Sequence, residues 1–139
     1  MSVVRITKTA NAGYLEKLVT LAGSAATLTF YTAPMPTNGG DPIGSATQLA
    51  QVTLGNPMGA VALNSGSTAY VLTFGTSTPD PLTEADGTAT WARIANGSTW
   101  IADLDVTATG GGGAITMPNV VMYQGGIMTL NTASITLPI

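Results

Sequence analysis

Neither cysteine nor histidine occurs in the chain. Their absence removes disulfides, thiolate and imidazole metal sites, and every nucleophile that depends on a His base. The commonest general acid/base is missing as well, so any catalysis would have to run on carboxylates. Charge is scarce too: 8% of residues are charged, against roughly 25% in an ordinary domain. Seven acids face four bases, for a net charge of −3. The bases are Arg5, Lys8, Lys17 and Arg93, three of them within the first 17 residues and too few to form a patch that neutralises a run of phosphates, so no nucleic-acid partner is expected. No apolar run approaches the ~18 residues of a membrane helix, and the first dozen residues lack the apolar block of a secretion signal. The expectation is a chain made in the cytoplasm with no membrane partner.

What fills the 139 residues is Thr, Ala, Gly and small aliphatics. Low charge with positive mean hydropathy opposes disorder, and the length suits one domain with one core. A weakly charged surface is also poorly protected against association. Residues 11–22 carry apolar side chains at helical spacing (Tyr14, Leu15, Leu18, Val19, Ala22), with Gly23 as a stop. From residue 26 the text changes to Thr, Val, Leu, Tyr and Phe runs, broken every dozen or so residues by Gly, Pro, Asn or Ser. Strands are predicted at 26–32, 48–54, 69–74, 88–94, 99–106, 114–117, 120–123, 127–130 and 134–137. Asn96-Gly97 supplies the positive φ of a tight hairpin turn between two of them. Strict alternation puts Trp91 and Arg93 on one face of that hairpin, and sets Trp100, Ala102 and Leu104 opposite Ile101, Asp103 and Asp105. The predicted fold class is all-β, a jelly roll or antiparallel β-sandwich with one short N-terminal helix. Residues 1–10 are an N-terminal arm and 11–139 a single domain. Loops at 33–46 and 75–87 are expected to protrude, and Gly110 to Gly113 read as a flexible connector or wide turn.

No motif carries chemistry strongly. Asp103 and Asp105, two apart on a strand, have the spacing to share a proton or hold a cation, but no calcium-loop pattern surrounds them and a solvated edge is the plainer reading. Asp80, Glu84 and Asp86 read as an acidic solvated loop. The glycine run is followed by no Lys-Ser or Lys-Thr, so it does not read as a phosphate loop. Trp91 and Trp100 suggest a sugar-stacking platform, against the commoner use of large aromatics in cores and interfaces. The expectation is no catalytic residue, no metal and no cofactor.

In order along the chain stand a helix, then Ala26-Thr27-Leu28-Thr29-Phe30-Tyr31-Thr32-Ala33, a Pro/Asn/Gly/Asp loop, Gln48-Leu49-Ala50-Gln51-Val52-Thr53-Leu54, Asn56-Pro57-Met58-Gly59-Ala60, and Gly87-Thr88-Ala89-Thr90-Trp91-Ala92-Arg93-Ile94. Over residues 10 to 106 this series resembles small structural proteins of tailed-phage virions. After Gly110 the likeness is loose. The resemblance implies a jelly-roll capsid cement, or decoration, protein of podophages, seated on the exterior of an HK97-type shell. Its partners would be the major capsid protein and itself, a homodimer being favoured over a trimer. Contacts are expected from an arm containing Arg5 and Lys8, from Pro34 and Pro36 in the first loop, and from Asp80 and Pro81 in the second. Trp91 and Arg93 are candidates for a subunit interface, with core packing as the other reading of the tryptophan. A phage tail or adaptor component and a carbohydrate-binding β-sandwich using Trp91, Trp100 and Asp103 are the alternatives.

Overall fold

The computed structural model describes residues 3, 7–24, 26–75, 77–78, 82–128, 130 and 132–138. Helix α1 spans Lys8–Ala22 and starts three residues earlier than the apolar spacing predicts. Thr7 is the reason: its hydroxyl accepts the Ala10 amide at 3.2 Å, satisfying one of the unpaired donors of the first turn. Lys8 therefore sits in a helical turn rather than in an extended arm. Leu15 and Ala22 are fully buried, with Leu18 and Val19 packed beside them. Tyr14 falls one position off that stripe and is exposed. Gly23 ends the helix with φ 58°, a conformation that glycine adopts at no steric cost.

The strands are β1 (Ala26–Tyr31), β2 (Gln48–Leu54), β3 (Gly59–Leu63), β4 (Ala69–Phe74), β5 (Ser77–Thr78), β6 (Gly87–Thr88), β7 (Trp91–Asn96), β8 (Thr99–Ala108), β9 (Ile115–Met117), β10 (Val121–Met122) and β11 (Thr132–Pro138). The mostly-β class is as expected, with a large curled sheet of the sandwich or jelly-roll kind. That sheet runs β3-β4-β11-β9-β8-β7-β1-β2-β5, and β10 pairs with β6 in a small separate ribbon. Helix α1 packs against β3 and β4 near one end of the order and against β7 and β8 further along, so it bridges the curl. Leu15 of α1 belongs to the same apolar core as Leu28, Phe30, Val52, Leu72, Ile94 and Ile115.

The strands depart from the predicted pattern at three places. The strand expected at 88–94 divides: Gly87–Thr88 joins the small ribbon and Trp91–Asn96 the large sheet. Of the stretch 127–130, the described residues hold an isolated bridge at Met128 and no strand. Gly59–Leu63, small residues with weak strand preference, does form one, because Gly59 lets β3 lie close on β4. A Cβ there would run into the Thr73 carbonyl oxygen.

The glycine run is no flexible connector. It folds the chain back so tightly that β9 lies parallel to β8, Val106 opposite Ile115. Gly110 and Gly112 take φ of 91° and 81°, while side chains at Gly111 and Gly113 would collide with Thr107. The Thr107 hydroxyl accepts the Gly113 amide at 3.0 Å and the Asp105 carboxylate the Ala114 amide at 2.9 Å.

Candidate functional site

The β7–β8 hairpin turns at Asn96-Gly97 as its sequence predicts, with Gly97 at φ 61°. The pairing shifts register after Ile94, so that Ala102 faces Ile94 but Trp100 faces Ala95. Ile101 is left as the extra residue of a β-bulge, which reverses the alternation beyond it. Strict alternation separated Trp100 from Asp103. The bulge instead brings Trp100 onto the Arg93 side, with the guanidinium carbon 4.5 Å from its ring centroid. Trp91 lies 5.4 Å from the same carbon on its other flank in sequence, and stacks on Tyr31 at 4.5 Å and 18°.

This outer layer is closed rather than presented. Trp91 is 0% and Arg93 2% exposed; neither offers a surface for a partner in this chain, and Trp91 cannot form a sugar platform with Trp100. Asp103 is no solvated edge residue: it takes Arg93 Nε at 2.6 Å and Nη2 at 2.9 Å in a bidentate pair. Nη2 also donates to the Asp41 carbonyl at 2.6 Å, and Trp91 Nε1 to the Thr32 carbonyl at 2.8 Å. The loop of residues 33–46, expected to protrude, is thus pulled down onto the sheet, where Ile43 and Ala46 cover Tyr31 and Trp91. Within it Pro34 is exposed and Pro36 half-buried. The Asp103 hydrogen bonds push the Arg93 pKa above its ordinary range, against burial. Burial pushes the Tyr31 hydroxyl up, with the Arg93 charge opposing. Buried Nη1 of Arg93 has no hydrogen-bond partner among the described residues.

The expected carboxylate pair is divided between two structural tasks, Asp103 on Arg93 and Asp105 on the Ala114 amide. Among the described residues no three acids converge on one point. Arg5, Asp80 and Pro81 lie outside the described residues, as does the Lys8 side chain.

The open feature lies elsewhere, at the β10–β6 ribbon. Val121 pairs with Thr88 and Met122 with Gly87. Gly87 permits this because a Cβ there would press on Thr32 and Leu49. The turn after β10 is strapped to the preceding loop: Thr83 N–H donates to the Gly126 carbonyl and Gly125 N–H to the Thr83 carbonyl, each at 2.8 Å. Gln124 N–H donates to Asp86 Oδ1 at 2.7 Å. The result is a recess of about 280 Å³ floored by buried Met122 and Met128 and rimmed by Val121, Tyr123 and Ile127. Tyr123 is 67% and Ile127 74% exposed. Thr83 and Asn119 are the other side chains bordering it, and exposed Glu84 and Asp86 stand beside it in sequence. Such a recess takes up an apolar side chain by burial, roughly 1.5–3 kcal/mol for one large group, and its thioether floor adapts to shape. Sequence reading missed it by assigning 127–130 to a strand. The available signal was Tyr123-Gln124-Gly125-Gly126-Ile127, two large apolar side chains flanking a Gly-Gly turn, where neither finds a sheet face to hide in.

No family model, curated protein or solved structure matches the chain.

Proposed function

We propose that the chain is a structural protein of a virion, a capsid cement protein that binds the outer surface of an HK97-type shell and braces it. The observation that carries this reading is the recess over Met122 and Met128 with its exposed apolar rim of Val121, Tyr123 and Ile127. Large apolar side chains left exposed around one recess suit a surface that another protein covers. The sequence likeness over residues 10 to 106 supplies the kind of partner, a major capsid protein. An apolar knob of the shell would enter the recess, with Glu84 and Asp86 favouring a basic flank on the capsid side. Each contact is modest, but a ligand that binds only the expanded shell stabilises it by mass action, and many copies act together. The closed Arg93 layer serves this role by holding the hairpin and the 33–46 loop in one shape, so that little order has to be gained on docking.

Co-sedimentation of the purified chain with expanded shells tests the reading. The wild type is expected in the shell fraction and Tyr123→Glu with Ile127→Glu in the supernatant, both substitutions lying on exposed side chains that the fold does not use. A wild type left in the supernatant, or a double variant that binds undiminished, would contradict it.

A further inference from the structure

The two edges of the large sheet are finished differently. At the β2 side, β5 pairs with Thr53 and Leu54, and the Leu49 carbonyl is taken by the Glu84 amide at 2.8 Å. At the other side β3 has, among the described residues, one neighbour, β4, with Val61 opposite Leu72. The Asn64 amide donates to the Ala69 carbonyl and the Gly75 amide to the Met58 carbonyl, each at 2.9 Å. These two bonds fix the phase of the ladder: Ala60 and Ala62 aim their backbone groups at β4, and Gly59, Val61 and Leu63 aim theirs away from it.

Natural edges are blunted by charge, proline or a bulge. Strand β3 reads Gly-Ala-Val-Ala-Leu, with none of these, and its register with β4 is unbroken. Ala60, Ala62 and Leu63 are exposed. A row of outward amides and carbonyls accepts another extended backbone and little else. Its sequence is also complementary to itself. Run antiparallel about Val61, Gly59 faces Leu63 of the second copy and Ala60 faces Ala62, so every opposed pair is small or apolar and no like charges meet. The two-fold axis of such a pair stands perpendicular to the sheet, so the α1 helices of both copies lie on the same side of one continuous sheet.

We propose that β3 is the self-association edge of this protein, joining two copies through antiparallel β3–β3 pairing centred on Val61. The proposal deepens the homodimer within the cement reading but stands on the edge alone. Its failure leaves shell binding through the recess intact, and the reverse also holds.

Sedimentation equilibrium of the full chain reads the outcome. The wild type is expected at twice the 14.0 kDa chain mass. Ala60→Lys with Ala62→Lys sets lysines against each other across the axis, on side chains already exposed, and is expected at the monomer mass. Ala60→Glu with Ala62→Glu is expected to be monomeric likewise. An equimolar mixture of the two variants brings Lys against Glu at both positions and is expected to recover the doubled mass, which a misfolded variant cannot do. A monomeric wild type, a lysine variant that remains dimeric, or a mixture that stays monomeric would overturn the proposal.

Discussion

Strand β7 is buried on both of its sides, by opposite means. Toward the interior, Ala92 and Ile94 join Leu28, Phe30 and Leu104 in a core held by area and shape. Toward the outside, Trp91 and Arg93 lie under Tyr31, Trp100 and a loop that hydrogen bonds hold down. The first kind of burial is forgiving, since apolar groups of similar volume exchange at small cost. The second depends on direction, because a guanidinium removed from water must find each of its partners in place. The chain thus has a general core that makes it fold and a specific outer layer that fixes the hairpin and the first loop.

The largest expected effects come from breaking each side once. Phe30→Ala leaves a cavity and should cost about 3–5 kcal/mol. Asp103→Ala strands a buried cation and should cost about 3–5 kcal/mol as well. The two differ on repair. Replacing both charges, Arg93→Met with Asp103→Leu, should return most of the lost stability in denaturant unfolding while speeding amide exchange across residues 33–46, because the Asp41 carbonyl loses its donor. A double variant as unstable as Asp103→Ala would mean that the ion pair itself holds the fold together.

Conservative exchanges should separate the sides further. Leu28→Met in the core should cost less than about 1.5 kcal/mol. Arg93→Lys keeps the charge but loses the fork that grips Asp103 and Asp41 together, at a cost of about 1.5–3 kcal/mol. Equal midpoint shifts for the two would mean that both sides of β7 are held in the same way.

The smallest effect is alkaline. Burial raises the Tyr31 pKa above 10.0, so the unfolded chain loses its proton first as the pH climbs. The contribution is present in full below the unfolded value and is lost as pH rises toward the folded one. Thermal midpoints between about pH 9 and 11 should fall more steeply for the wild type than for Tyr31→Phe. Parallel curves would show that the buried hydroxyl does not govern this slope.

The two sides were not equally legible in the sequence. The interior was, because strands β2 and β4 announce themselves by Thr, Val, Leu and Tyr between turn residues, and both fall where that text predicts. Asn96-Gly97 gave the hairpin for the same local reason. The outer layer was not, because it turns on one bulge at Ile101 that alternation does not reveal, and on a loop whose contact is a main-chain carbonyl rather than a side chain. Strand β3 escaped because its stability comes from the close approach at Gly59, a property of the pair and not of the segment. The glycine run misled in the opposite direction: a composition that usually means slack here answers four separate demands, two of conformation and two of space. The recess was invisible for a related reason, since its rim belongs to a turn and its floor to methionines that could have filled any core.

Both kinds of burial leave the same remainder, an apolar rim at Tyr123 and Ile127 that the described residues leave exposed, and the proposed cement role has a capsid protein cover it. Under the proposed cement role the chain belongs to a virus particle, and quantitative mass spectrometry of that purified particle tests this most directly, as copies of this chain per major capsid protein. A ratio near one is expected of a cement protein; a ratio near zero would rule that role out and remove the chain from the shell.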